Sequence, residues 1–196
     1  MLSWLYFYLH GAHRDLHSFP TRRSSALLVG IEQGFMTTIH AYTGDQPTLD
    51  TMHSDLYRAR AAAMSMIPPT TGAARTVGLV LPELKGKLDG AAIRVPTPNV
   101  SCVDLNFVSG RETTADEINA IMRRASGKMK GVLAYDARPL VSVDFNHHPA
   151  SAIFAPDQTR VMNETLVRVL AWYDNETSYT QTLVEHVASA ARHMKK

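Results

Sequence analysis

Between Ser101 and Val108 the chain alternates without a break: Val103, Leu105 and Phe107 fall on one face, and Cys102, Asp104 and Asn106 on the other. A period of two over this length is the pattern of a half-buried strand, not of a helical stripe. Leu166 to Tyr173 supplies a longer, more continuously apolar strand. Met36-Thr37-Thr38-Ile39-His40-Ala41 supplies a short one rich in β-formers. Ala91-Ala92-Ile93-Arg94-Val95 reads as a further strand ended by Pro96 and Pro98, and Val141-Ser142-Val143-Asp144-Phe145 repeats the alternation.

Two helices are expected between and after these strands. Thr114-Ala115-Asp116-Glu117 is a capping box, in which the threonine hydroxyl serves one orphan amide and Glu117 reaches back to another. Ile118, Ile121, Met122 and Ala125 continue it as an apolar stripe, and Gly127 is the expected stop. The last helix is expected to start at Ser178 with Gln181 completing a second box, and to bury Leu183, Val184, Val187 and Ala191. A shorter helix is expected between Gly72 and Leu84, ending near Pro82. Strands that run as hairpin-like neighbours with irregularly placed helices indicate an α+β fold. The expectation is a mixed, largely antiparallel sheet covered by helices on one face. No Gly-x-Gly-x-x-Gly follows a strand, so a Rossmann domain is expected to be absent from this chain.

Composition narrows the class. The chain has 196 residues, 45% hydrophobic and 19% charged, which suits one packed domain and argues against disorder. A formal charge of +2 with scattered basic residues does not call for nucleic acid or an anionic membrane as partner. No apolar stretch approaches the roughly 20 residues that span a bilayer. Met1 to Leu9 is apolar but has neither a preceding cation nor a following cleavage site, so no secretory signal is expected. The single cysteine, Cys102, cannot form an internal disulfide, which fits a reducing, cytoplasmic compartment.

The chain changes character near residue 26. Residues 1–26 show neither helical nor strand period and are expected to be an unstructured or non-native tail, with residues 27–196 as the folded domain. His10, His13 and His17 stand at helical spacing, which would allow a metal site, but a tail is the plainer reading. Leu16 to Ser25 resembles translated sequencing-adapter sequence more than protein.

Four stretches carry donors suited to chemistry. Thr38-Ile39-His40-Ala41-Tyr42-Thr43-Gly44-Asp45 sets a histidine at a strand end with a hydroxyl three residues on. Arg58-Ala59-Arg60 follows in a polar loop. Pro69-Thr70-Thr71-Gly72-Ala73-Ala74 places hydroxyls and amides at an expected helix N-terminus, which suits a phosphate. Arg94 adds a planar fork for phosphate oxygens. Each has a plainer reading alone: a structural strand histidine, a helix cap, a surface ion pair. Tyr42, Trp172 and Tyr173 read as core or interface residues, and His147-His148 as ordinary loop histidines in place of a metal pair.

In order, however, these stretches resemble one family. Gly34 to Gln46, Arg58 to Ala63, Thr71 to Ala74, Gly78 to Gly90, Arg94 to Ser101 and Trp172 to Glu176 are similar to the catalytic, C-terminal domain of phosphorylating glyceraldehyde-3-phosphate dehydrogenase, from about Leu28 onward. The resemblance implies that His40 is the thiol-activating catalytic histidine. It implies that Thr71 and Gly72 bind inorganic phosphate, that Thr43 and Arg94 hold the substrate's phosphate, and that Arg58 supports them. Asn175 would meet the nicotinamide carboxamide of NAD, with Tyr179 near that ring. It further implies a glycolytic, cytoplasmic oxidoreductase that acts on glyceraldehyde 3-phosphate and inorganic phosphate. NAD would be held mainly by a separate N-terminal domain, and the full enzyme would be a homotetramer joined partly through Ala41 to Arg60.

The departures are specific. Where the family has a Ser-Cys-Thr-Thr-Asn-Cys motif, this chain has Arg22-Arg23-Ser24-Ser25-Ala26-Leu27, and Cys102 stands at a non-catalytic position with a packing role. Ser178 replaces a usual glycine, and Thr51-Met52 departs from the family in the subunit-contact loop. The fragment is therefore expected to be catalytically incomplete. The alternatives are a fragment of erythrose-4-phosphate dehydrogenase, which Leu140 to His147 also suits, and a non-catalytic phosphate-binding or assembly module.

Overall fold

The computed structural model describes residues 29–69 and 84–193. These residues form one sheet of seven strands: β1 (Gln33–Ala41), β2 (Leu88–Val95), β3 (Ser101–Val108), β4 (Leu133–Tyr135), β5 (Ala152–Phe154), β6 (Arg160–Met162) and β7 (Leu166–Tyr173). Helix α1 (Ala115–Lys128) follows β3, and α2 (Thr177–His193) follows β7. The strand order is β2-β1-β3-β7-β5-β4, with β6 also beside β7. The sheet is mixed and largely antiparallel: only β1–β2 and β4–β5 pair in parallel.

The four strands with readable patterns are contiguous, from β2 at one edge through β1 and β3 to β7. The alternation in β3 has the expected consequence: Val103, Leu105 and Phe107 are buried with Val167 and Val169 of β7, Met36 of β1, and Ile118, Ile121 and Ala125 of α1. Full burial of such side chains stabilises the fold by about 1.5–3 kcal/mol each. On the opposite face Arg168 grips Asp104 through Nε and Nη2 at 2.9–3.0 Å, a bidentate cross-strand pair. Gly34 in β1 allows close approach, since a Cβ there would lie 2.8 Å from Leu88 Cδ2 and 2.9 Å from Asn106 O.

Several expectations are corrected. β2 and β3 are not hairpin neighbours. The connection after Val95 crosses the end of β1, where Tyr42 N–H bonds Thr97 O at 3.1 Å, so the two strands flank β1 on opposite sides. Val141 to Phe145 is not a strand, and Ser142–Phe145 forms a 3-10 turn. Asp144 turns its carboxylate back to Val141 N–H (2.8 Å), Phe145 alone is buried, and Val141 and Val143 stay exposed.

The capping box at α1 is half as expected. Thr114 Oγ1 accepts from Glu117 N–H, but the Glu117 carboxylate takes Thr113 Oγ1 and Arg111 instead of the Thr114 amide. Gly127 does not end α1, which runs on to Lys128. Helix α2 begins at Thr177, and its first-turn amides are capped by Asp174, not Ser178: Oδ1 accepts from Glu176 N–H at 2.9 Å and Thr177 N–H at 2.8 Å. Leu183, Val184 and Val187 of α2, expected to be buried, are 51–63% exposed, and Ala191 is exposed too. The three-residue strands β4, β5 and β6 are too short for a period to show in the sequence. The helix expected between Gly72 and Leu84 lies outside the described residues.

Candidate active site

Topology brings four strand ends to one place. β1 and β2 run parallel and finish together, at Ala41 and Val95. β3, antiparallel to β1, starts there with Ser101, and β7, antiparallel to β3, ends there with Tyr173. Side-chain alternation along β1 then decides what points inward: Met36, Thr38 and His40 are buried, whereas Phe35 and Ile39 on the other face are exposed.

His40 pairs in register with Arg94 of β2. Its Nδ1 lies 2.6 Å from Arg94 Nη1 and 2.6 Å from Ala41 O, and Arg94 Nη1 also donates to Ala41 O at 3.0 Å. A guanidinium only donates, so its bond to Nδ1 requires the neutral imidazole with the proton on Nε2. A bond from Nδ1 to Ala41 O requires Nδ1–H. Burial pushes the His40 pKa down to about 4; the Ala41 carbonyl opposes this and the Arg94 charge adds to it. The Tyr173 ring meets the imidazole edge-on, with centroids 5.9 Å apart. Tyr173 is fully buried, and its hydroxyl has no hydrogen bond. Burial raises that phenol well above its ordinary value.

Arg94 is held by its backbone as well, through a two-way bridge to Ile67 at 2.7 and 2.9 Å. Its buried Nε has no partner. Burial lowers its pKa, with Asp45 opposing and Arg58 adding to the effect, so the three charges share one field. Arg58 is itself paired with Asp45 at 3.1 Å and Asp55 at 3.5 Å. Thr43 sits in a loop closed by Gln46, whose Oε1 accepts from Thr43 N–H (2.9 Å) and Oγ1 (3.3 Å) while its own N–H returns to Thr43 O (2.9 Å).

Behind His40 a second set of polar groups is linked. Ala41 N–H donates to Ser101 Oγ at 3.0 Å, and Ser101 Oγ donates to Asn175 Oδ1 at 2.9 Å. Val100, just before Ser101, has a φ of 67°, a conformation that β-branched residues avoid. The next residue along from Tyr173, Asp174, accepts from Asn99 Nδ2 and from His147, Glu176 and Thr177 N–H. Burial would raise its carboxyl, but these four bonds outweigh it and hold it below the usual range.

The structure therefore gathers His40, Arg94 and Asn175 at one end of the sheet, with Thr43 and Arg58 in the adjoining loop. Tyr179 is 63% exposed on α2. Thr71, Gly72 and the histidines at 10, 13 and 17 lie outside the described residues. Among the described residues no group of three or more His, Cys, Asp or Glu side chains could hold a metal ion, and no helix is long and apolar enough to cross a membrane. Cys102 packs against Ala155, Leu170 and Trp172 on the face of β3 away from Ser101, and burial, then the Asp104 charge, pushes its thiol up to about 11. Sequence reasoning missed Gln46, Ser101 and Asp174. Asp174 was within reach, since an aspartate three residues before the first helical amides is a capping signal.

Comparison with known proteins accords with this arrangement. Residues 26–175 match the family described as glyceraldehyde 3-phosphate dehydrogenase, C-terminal domain. A glyceraldehyde-3-phosphate dehydrogenase of Xanthobacter flavus is 68% identical over 156 residues, which is 79% of this chain and 47% of the relative. One of Cereibacter sphaeroides is 61% identical over 84% of this chain and 50% of the relative, and one of Geobacillus stearothermophilus is 53% identical over 83% and 49%. The chain spans about half the length of the curated relatives it matches. By the extent of these matches, the chain belongs to the glyceraldehyde 3-phosphate dehydrogenase C-terminal domain family.

Proposed function

We propose that this chain supplies the substrate- and phosphate-binding half of an NAD-dependent, phosphorylating glyceraldehyde-3-phosphate dehydrogenase. The observation that carries this reading is the placement of His40: buried, neutral, its Nδ1–H donated to Ala41 O beside the Arg94 guanidinium, so that Nε2 is left unprotonated for a reacting group. In the whole enzyme a cysteine thiolate would add to the substrate aldehyde to give a hemithioacetal. Loss of its hydride to the nicotinamide acceptor would leave a thioester, which inorganic phosphate would cleave to an acyl phosphate with return of the thiolate. His40 would stabilise the thiolate and move the proton to and from the substrate oxygen. Arg94 and Thr43 would hold the substrate's phosphate beside it, with Arg58 in support. Thr71 and Gly72 would take the attacking phosphate.

The residues present fit the nicotinamide end of NAD. Asn175 has its carbonyl already bonded to Ser101 and an amide group available as donor, and Tyr179, four residues on, is an exposed ring. NAD, when bound, supplies the hydride acceptor, and its remaining contacts belong to a separate N-terminal domain. The homotetramer and the cytoplasmic setting form part of the same reading. So does the assignment of residues 27–196 to the catalytic domain, with 1–26 foreign to it.

Cys102 does not serve as nucleophile, because a buried thiol raised to about 11 is protonated at neutral pH and lies on the wrong face of β3. The purified chain is therefore expected not to reduce NAD when given glyceraldehyde 3-phosphate and phosphate. Steady NADH formation at 340 nm, on the order of ordinary enzyme turnover, refutes this. Stabilisation of the chain against heat by phosphate tests the anion sites independently.

A further inference from the structure

We infer that Ser101 is a positioning residue that fixes the Asn175 side-chain amide with its N–H donors turned outward, so that the group Asn175 recognises must be a hydrogen-bond acceptor. The inference deepens the proposed function and rests on it only for the identity of the ligand, a carboxamide carbonyl.

The polarity follows from where the buried Ser101 hydroxyl proton can go, since Asn175 Oδ1 is the acceptor it meets. Ala41 N–H is a backbone donor and lies 3.0 Å from Ser101 Oγ, so it occupies a lone pair of that oxygen. Ser101 is 1% exposed, so water does not compete for its hydroxyl. Its proton is directed to the amide atom of Asn175 2.9 Å away, and an O–H donor selects the carbonyl oxygen over the NH2 group. The cross-strand neighbour of Ser101 is Tyr173, whose hydroxyl is not bonded to it and so offers the Ser101 proton no acceptor. The outward Asn175 Nδ2 makes just one long contact, 3.4 Å to Glu176 Oε1, and is otherwise available.

The same relay ties two functional elements together. Ala41 is the residue after His40, and its carbonyl is the one shared by His40 and Arg94. Its N–H, through Ser101, sets Asn175 beyond the end of β7. The unusual φ of 67° at Val100 is the local cost of entering β3 so that Ser101 reaches both partners while Asn99 reaches Asp174.

The experiment is solution NMR on the intact chain with the Asn175 side-chain amide assigned. In the wild type, nuclear Overhauser contacts from the Asn175 NH2 protons to Ser101 Hβ are expected to be absent, with a single sharp amide pair. In Ser101→Ala that pair is expected to broaden or double, and in Ser101→Thr, which keeps the hydroxyl, to return to one state. Strong contacts from NH2 to Ser101 Hβ in the wild type overturn the inference and need no variant to fold. A single, unbroadened pair in a folded Ser101→Ala does the same.

Discussion

Arg94 Nη1 stands 2.6 Å from Nδ1 of His40, across a parallel strand pair in which the two residues are in register. A permanent cation beside an imidazole disfavours the imidazolium by charge repulsion, wherever on the ring the neutral form keeps its proton. It acts in the same direction as burial. The His40 base is thus held neutral by its own strand neighbour, the residue proposed to grip the substrate's phosphate.

Replacing Arg94 by Met removes the cation and keeps much of the side-chain bulk. The His40 pKa should rise from about 4 but stay below 6.5, because burial is the larger cause and persists. NMR titration of the His40 ring protons measures this directly. An unchanged midpoint means that Arg94 contributes nothing to it.

Stability should carry the His40 signature in acid. The unfolded imidazole takes its proton near pH 6.5 and the folded one only near 4, so between these values the unfolded chain binds more protons. Stability is complete above pH 6.5 and is lost as the pH falls toward 4, by about 3 kcal/mol over that window. Urea unfolding at pH 7 and pH 4.5 should show the loss, and His40→Gln should flatten it.

Gln46 should matter to anion binding through Thr43, since one amide oxygen holds both its N–H and its hydroxyl. Gln46→Ala should weaken phosphate binding roughly fivefold, about 1 kcal/mol. Calorimetric titration with inorganic phosphate at fixed ionic strength reads the change. Equal affinities would separate Thr43 from the anion site.

Asp174 accepts four hydrogen bonds and caps α2. Asp174→Ala should cost about 2–4 kcal/mol, because several donors lose their only partner at once. The carboxyl is held below its ordinary value, so its contribution is complete above about pH 4 and is lost at more acid pH, below the His40 window. Denaturant midpoints of the variant at neutral pH test the magnitude.

Much of this was legible along the chain. The alternation of β3, the apolar run of β7 and the Thr114 cap are local signals, and each element formed where its pattern stood. His40, Arg94 and Thr43 were singled out by residue type and by their position at strand ends and loops. Val141 to Phe145 shows the limit, because its alternation was outweighed by a single carboxylate bonding back to Val141. Ser101 carried no local signal, since its partner Asn175 is 74 residues away.

By itself the sequence determined that the segments of β1, β2, β3 and β7 are strands, which face of β3 is apolar, and which donors lie at strand ends, because these depend on periods of a few residues. Tertiary structure alone decided that β2 and β3 flank β1 and that the ends of β1, β2, β3 and β7 converge. Strand order is set by how the whole sheet satisfies its edges and buries one face against α1, a sum over distant segments. That sum puts a guanidinium against His40, turns an ordinary imidazole into a buried neutral base, and links Ala41 through Ser101 to Asn175.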